Sequence, residues 1–157
     1  MNKVEKIIKI LEQNNYTIAT AESCTGGLLA STIVNENGAS KVFNEGYITY
    51  SNEAKERILG VNNATINEFG VVSEEVCKEM ALNTQKIANV NIAVSISGIA
   101  GPTGDTPNKP IGMVCFGIVI NDDIYTYTKY FGNIGRTNVR NKSVEFVIDL
   151  LFSKLNI

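Results

Sequence analysis

The sequence contains no histidine. That absence removes the Ser-His-Asp triad, the Cys-His pair and histidine-ligated metal centres from the chemistry open to this chain. An enzyme built on it must move protons with Lys, Tyr, Asp, Glu, Cys or a cofactor. Cysteine is scarce too: Cys24, Cys77 and Cys115 are odd in number and lack metal-ligand spacing. Reduced thiols in a cytoplasmic protein are the simplest reading. Basic residues are not in excess. With 14 Lys+Arg against 16 Asp+Glu, the net charge of −2 gives no electrostatic footprint for nucleic acid or an anionic membrane, so an anion site must be local. Long apolar runs are missing as well, since stretches such as 111–120 are far too short to span a bilayer. The opening Met1-Asn2-Lys3-Val4-Glu5-Lys6 lacks the apolar block and cleavage site of a signal peptide, so none is expected.

What is present suits one globular domain over residues 1–157, with no repeat, low-complexity tract or linker to divide it. A chain of this size buries a sizeable core without disulfides or metal. Val4, Ile7, Ile8 and Leu11 fall at helical spacing, so 3–14 reads as an amphipathic helix. Residues 17–21 read as a short buried strand, followed by Ser23-Cys24-Thr25-Gly26-Gly27 and a helix to about Val34. A strand over 42–50 leads to Ser51, an N-cap for a helix through Leu59 that Gly60 stops. Thr65-Ile66-Asn67-Glu68 fits a capping box for one short turn. Ser73 starts a longer helix with Val76, Met80, Thr84 and Ile87 on its inner face. A strand over 91–97 and a glycine-bearing loop over 98–110 come next. Strands over 111–120 and 124–131 are joined too tightly for a crossover and form an antiparallel hairpin. A helix over 136–155 closes the chain, with Val139, Ser143, Phe146, Val147, Leu150 and Leu151 facing in. The order implies an α/β fold: a mixed sheet with helices on both faces.

Ser23 follows a buried strand and precedes a helix whose entry carries two glycines. The free N–H groups of such a helix start can hold developing negative charge, as in the nucleophile turns of other hydrolases. Position alone favours the plainer reading of a helix N-cap. A nucleophilic serine needs a base. With Ser51 as N-cap, Tyr50 and Lys55 occupy the N′ and N4 positions that touch in a hydrophobic staple. A lysine near a helix N-terminus has its pKa lowered, which favours the neutral amine of a general base. Taken alone, Lys55 reads more readily as a solvated surface lysine beside an aromatic staple. Cys24 is a rival nucleophile whose pKa the same helix start would lower, or else a small buried hydrophobe. The loop Ser97-Gly98-Ile99-Ala100-Gly101-Pro102-Thr103-Gly104 matches neither a Walker A nor a dinucleotide fingerprint. Arg136 and Arg140 lie one turn apart at the start of the last helix, where cations oppose the macrodipole and an anion such as phosphate would relieve the conflict. A solvated basic face is the alternative. Glu22 and Asp105 could orient a ligand, although Asp105 suits turn chemistry.

Taken together, Thr20-Ala21-Glu22-Ser23-Cys24-Thr25-Gly26-Gly27, Gly46-Tyr47-Ile48-Thr49-Tyr50-Ser51-Asn52-Glu53-Ala54-Lys55, Val72-Ser73-Glu74-Glu75-Val76, Ser97-Gly98-Ile99-Ala100-Gly101-Pro102 and Lys109-Pro110-Ile111-Gly112 resemble the CinA carboxy-terminal domain family. The resemblance covers almost the whole chain. It implies a three-layer α/β/α sandwich and the activity of the family's enzymatic members, deamidation of nicotinamide mononucleotide to nicotinate mononucleotide and ammonia. It implies no metal or cofactor, a homodimer, and a stand-alone version of a domain that in longer members follows a molybdopterin-binding-like domain. The family's serine, tyrosine and lysine match Ser23, Tyr50 and Lys55. Substrate contacts are expected from Glu22, Cys24, Thr25, Gly26 and Gly27, from Thr49 and Asn52, from Gly98, Ile99, Ala100 and Gly101, and from Arg136 and Arg140. The family's Gly-Asp-Arg ahead of the last helix is replaced here by Gly132-Asn133-Ile134-Gly135-Arg136, which keeps the arginine at longer spacing and lacks the aspartate. The scheme expected is acyl transfer: Ser23 attacks, Lys55 accepts its proton, and Tyr50 relays a proton to ammonia. A nucleotide-binding or regulatory module with little turnover is the alternative.

Overall fold

Five strands form one mixed sheet, and the alternation of large and small side chains along them decides what each face carries. The computed structural model describes all residues, Met1–Ile157. The strands are β1 (Ile18–Glu22), β2 (Phe43–Ile48), β3 (Ile92–Gly98), β4 (Met113–Ile120) and β5 (Asp123–Tyr130), and their spatial order is β2-β1-β3-β4-β5. β1 lies between parallel β2 and β3, while β3–β4 and β4–β5 are antiparallel. The helices are α1 (Lys3–Gln13), α2 (Leu28–Val34), α3 (Asn52–Leu59), α4 (Asn63–Phe69), α5 (Glu74–Ala88) and α6 (Arg136–Lys154).

One face of the sheet presents Ile18, Val94, Ile96, Phe116 and Ile118, and these pack against Ile7 and Leu11 of α1, Leu29 of α2 and Val147 and Leu151 of α6. Strand periodicity sends the intervening residues to the other face. They are small: Ala19, Ala21, Ala93, Ser95 and Gly117. Small residues let α5 sit close to the sheet. The Ser95 hydroxyl donates to the Cys77 carbonyl of α5 at 2.6 Å. Its cross-strand neighbour Gly117 has no room for a side chain, because a Cβ there would lie 2.4 Å from the same carbonyl oxygen. Leu59, Ile66, Val76 and Met80 bury α3, α4 and α5 on this side around Ala21. The result is the three-layer α/β/α sandwich expected.

Local details differ from the sequence reading where tertiary contacts override periodicity. α4 is capped by Asn62, whose side chain accepts the Ala64 N–H, so it starts before Thr65. Ile87 is half exposed, on the last turn of α5, which Gln85 pins to the strand ends by donating to the Asn91 and Asn121 carbonyls. On α6, Phe146 and Leu150 are half-buried, while Val144 and Ile148 take the inward positions beside Val147 and Leu151. β4 begins at Met113, after the left-handed turn at Gly112.

Candidate active site

β1 ends at Glu22, and the next residue, Ser23, extends its pairing by donating its N–H to the Ile96 carbonyl at 3.0 Å. The chain then reverses into α2 through Gly26 (φ 57°) and Gly27 (φ 100°), two left-handed residues in succession that favour glycine. Gly27 has no capping side chain, and the start of α2 is satisfied instead by Glu22. Its carboxylate is almost fully buried. One oxygen accepts from the Thr25 hydroxyl at 2.6 Å and the Leu29 N–H at 2.8 Å, and the other accepts from the Ala30 N–H at 3.0 Å. Glu22 and Thr25 therefore brace the turn and do not line the cavity beside it. Because Glu22 performs the capping, the Ser23 hydroxyl is left free, which settles the N-cap alternative geometrically. The N–H groups of Cys24, Thr25 and Gly27 have no acceptor within the protein, whereas that of Gly26 is bonded to the Ser23 carbonyl.

The free hydroxyl meets Lys55. Ser51 caps α3 by accepting the Ala54 N–H at 3.0 Å, and this fixes the phase that turns Lys55 inward. Lys55 is 1% exposed, so it is not a solvated surface lysine. Its Nζ donates to Ser23 Oγ at 3.0 Å and to the Thr49 carbonyl at 2.8 Å. No carboxylate pairs with it, since the ion pairs are Lys3–Asp149, Lys41–Glu12 and Lys142–Glu145. Burial without a counter-charge disfavours the ammonium form and lowers the Lys55 pKa. The same burial corrects the expectation for Cys24: its thiol is pushed up to about 11, because desolvation outweighs the stabilisation of the thiolate by its own backbone and by the neighbouring Arg140 and Lys55. A protonated thiol is a poor nucleophile, and Cys24 serves as a small buried hydrophobe.

Ser23, Cys24, Tyr50, Lys55 and Arg136 share one cavity of about 200 Å³. Gly98 and Ala100 line it from the end of β3, and three residues not among the expected contacts join them: Ser97, Val71 and Val72. Ser97 is 1% exposed and lines the cavity. The register that pairs Glu22 with Ile96 brings Ser97 beside Ser23, and the signal was its place at the carboxyl end of a strand parallel to β1.

The remaining expected residues are dispersed. Arg140 donates from Nε to the Cys24 carbonyl at 3.0 Å and from Nη2 to the Thr25 carbonyl at 2.9 Å. It braces the serine turn and is not on the cavity wall. Gly26 and Gly27 shape that turn and likewise stay off the wall. Thr49 contributes its carbonyl to Lys55, while its own buried hydroxyl is unpaired. Asn52 and Ile99 line a separate cavity of about 580 Å³ that shares Val71 and Val72 with the first. Tyr50 does not turn to Lys55 as a staple: it is 60% exposed, and its hydroxyl accepts from Arg136 Nη2 at 2.8 Å. Arg136 Nη1 donates to the Gly101 carbonyl at 2.9 Å. No three Cys, Asp or Glu side chains converge as a metal centre needs, and no helix is long and apolar enough to cross a membrane.

A histidine-free Ser–Lys contact at the carboxyl end of parallel strands can now be set beside known proteins. A CinA-like protein of Kosmotoga olearia is 48% identical over 147 residues, which are 94% of this chain and 35% of that protein. The chain thus spans about a third of the length of the curated relatives it matches. The crystal structure of a competence-damaged protein (CinA) superfamily member from Klebsiella pneumoniae 700603 superposes with a TM-score of 0.93 at 31% identity, covering 99% of both chains. The competence/damage inducible protein CihA of Agrobacterium tumefaciens gives 0.90 at 33% identity, covering 100% of this chain and 98% of that one. The sequence profile of the CinA C-terminal domain matches residues 1–155, and the chain belongs to that family.

Proposed function

We propose that this chain is an amidohydrolase that deamidates nicotinamide mononucleotide to nicotinate mononucleotide and ammonia. The observation that carries the reading is the 3.0 Å bond between Lys55 Nζ and Ser23 Oγ, made by a buried lysine with a lowered pKa in a protein without histidine. Neutral Lys55 takes the Ser23 proton as Oγ attacks the carboxamide carbon. The oxyanion forms beside the unpaired N–H of Cys24 on the cavity wall, where one well-placed donor is worth about 3 kcal/mol. The carbon–nitrogen bond breaks as Tyr50 gives its proton to the leaving nitrogen and recovers one from the Lys55 ammonium. Water then loses a proton to Lys55 and attacks the nicotinoyl ester, and Ser23 is reprotonated as nicotinate mononucleotide departs. Ser97, on the cavity wall, offers its hydroxyl to the carboxamide.

Size supports a division of the substrate. A cavity of about 200 Å³ is smaller than the roughly 300–1,000 Å³ of sites that enclose a drug-sized ligand. The pyridine carboxamide fits inside, and the ribose phosphate lies at the mouth, where Arg136 offers a guanidinium with no carboxylate partner. The test is incubation with nicotinamide mononucleotide, with ammonia and nicotinate mononucleotide assayed together. Equal release of both is expected. Tight binding with no release would make the domain a nucleotide-binding module instead.

A further inference from the structure

Arg136 is the first residue of α6, where the helix dipole disfavours a cation, and no carboxylate neutralises it. Two neutral acceptors hold it: the Gly101 carbonyl through Nη1 and the Tyr50 hydroxyl through Nη2. The two side chains line the mouth of the cavity that contains Ser23 and Lys55. In this arrangement the phenol ring faces solvent, and its oxygen, which must collect a proton from Lys55 during turnover, is engaged by a guanidinium. Hydrogen bonds from arginine to a phosphate are charge-assisted and roughly twice as strong as those to neutral acceptors. A dianion at the mouth therefore displaces the phenol.

We propose that Arg136 is a latch on Tyr50 and that the substrate's own phosphate releases it, so that the anion raises turnover as well as affinity. The proposal rests on the amidase reading above. Phosphate recognition and proton transfer then share one side chain. A nicotinamide substrate without the phosphate enters the cavity but meets a latched Tyr50. The specificity for nucleotide over nucleoside appears in kcat and not in KM alone, which a purely binding role for Arg136 would not produce.

The experiment measures ammonia release from nicotinamide riboside, with and without phosphite dianion, alongside nicotinamide mononucleotide. In wild type, saturating phosphite is expected to raise riboside kcat by about tenfold, the scale of one hydrogen bond to a charged group. In Arg136→Ala, riboside turnover is expected to rise above that of wild type and to lose its response to phosphite, while mononucleotide turnover falls. Riboside turnover that ignores phosphite in wild type, an arm that needs no variant, overturns the latch. Riboside turnover that falls in Arg136→Ala also overturns it, because Arg136 would then assist Tyr50. Turnover of the mononucleotide with either of those results leaves the amidase reading standing, whereas no ammonia from the mononucleotide overturns both.

Discussion

Replacing Lys55 with methionine keeps the unbranched apolar stem of the side chain and removes its ionisable amine. Lys55 is 1% exposed and has no carboxylate partner, and burial lowers its pKa in the folded protein. In the unfolded chain the amine returns to the ordinary lysine value of about 10.4. Between those two values the folded protein binds one proton fewer than the unfolded chain. Its unfolding free energy consequently rises with pH, by about 1.4 kcal/mol per unit. This stability is fully present above the unfolded pKa and is lost as pH falls through the folded one. Lys55→Met lacks the dependence, and the other titrating groups are common to both proteins and cancel on subtraction. The variant also strips the Thr49 carbonyl of its donor, a loss of about 1–3 kcal/mol that does not vary with pH. Urea unfolding of both proteins from about pH 6 to about pH 10 isolates the effect. The difference is expected to move in favour of wild type as pH rises, by about 1.4 kcal/mol for each unit of depression of the folded pKa. Turnover rises over the same range as the amine loses its proton. A flat difference would mean that folding leaves the Lys55 ionisation untouched. A difference of opposite slope would mean a lysine held as ammonium. Either result refutes the neutral base.

The brace beneath the serine predicts that Glu22→Gln loses about 2 kcal/mol, because an amide cannot accept from Thr25, Leu29 and Ala30 together and leaves a buried donor unpaired. A lower urea midpoint at unchanged slope is the measurement, and an unchanged midpoint would contradict the capping role. Gly117→Ala places a Cβ 2.4 Å from the Cys77 carbonyl oxygen and is expected to lose about 3 kcal/mol by forcing α5 off the sheet. Thermal unfolding reads it, and an unshifted Tm would mean that the helix yields freely at this point.

Much of the fold was legible because its local signals agree with its packing. Ser73 caps α5, Ser51 and Gly60 bracket α3, and the short link after Ile120 forces a hairpin. Ile87 and Thr65 were misread because the end of α5 and the start of α4 are set by Gln85 and Asn62, contacts that helical periodicity does not encode. The candidate site was legible as residues but only partly as geometry. Ser23 and Lys55 are 32 positions apart, and only the parallel pairing of β1 and β2, with Glu22 beside Ile48, carries α3 to the serine. Motif position grouped Glu22 and Arg140 with the substrate residues. Their hydrogen bonds instead go to the start of α2 and to the carbonyls of Cys24 and Thr25, which explains equally well why the serine turn needs them. Ser97 lay in a recognised motif, yet its role depends on strand register, which places it beside Ser23.

The central claim is that Ser23, relieved of capping by Glu22 and bonded to Lys55, attacks the carboxamide. Ammonia release from nicotinamide mononucleotide by wild type and Ser23→Ala tests it most directly, with urea unfolding used to show that the variant is folded. A folded Ser23→Ala whose turnover falls by at least about a thousandfold is the predicted result, in line with loss of a covalent nucleophile. A folded Ser23→Ala that releases ammonia at the wild-type rate would contradict the account.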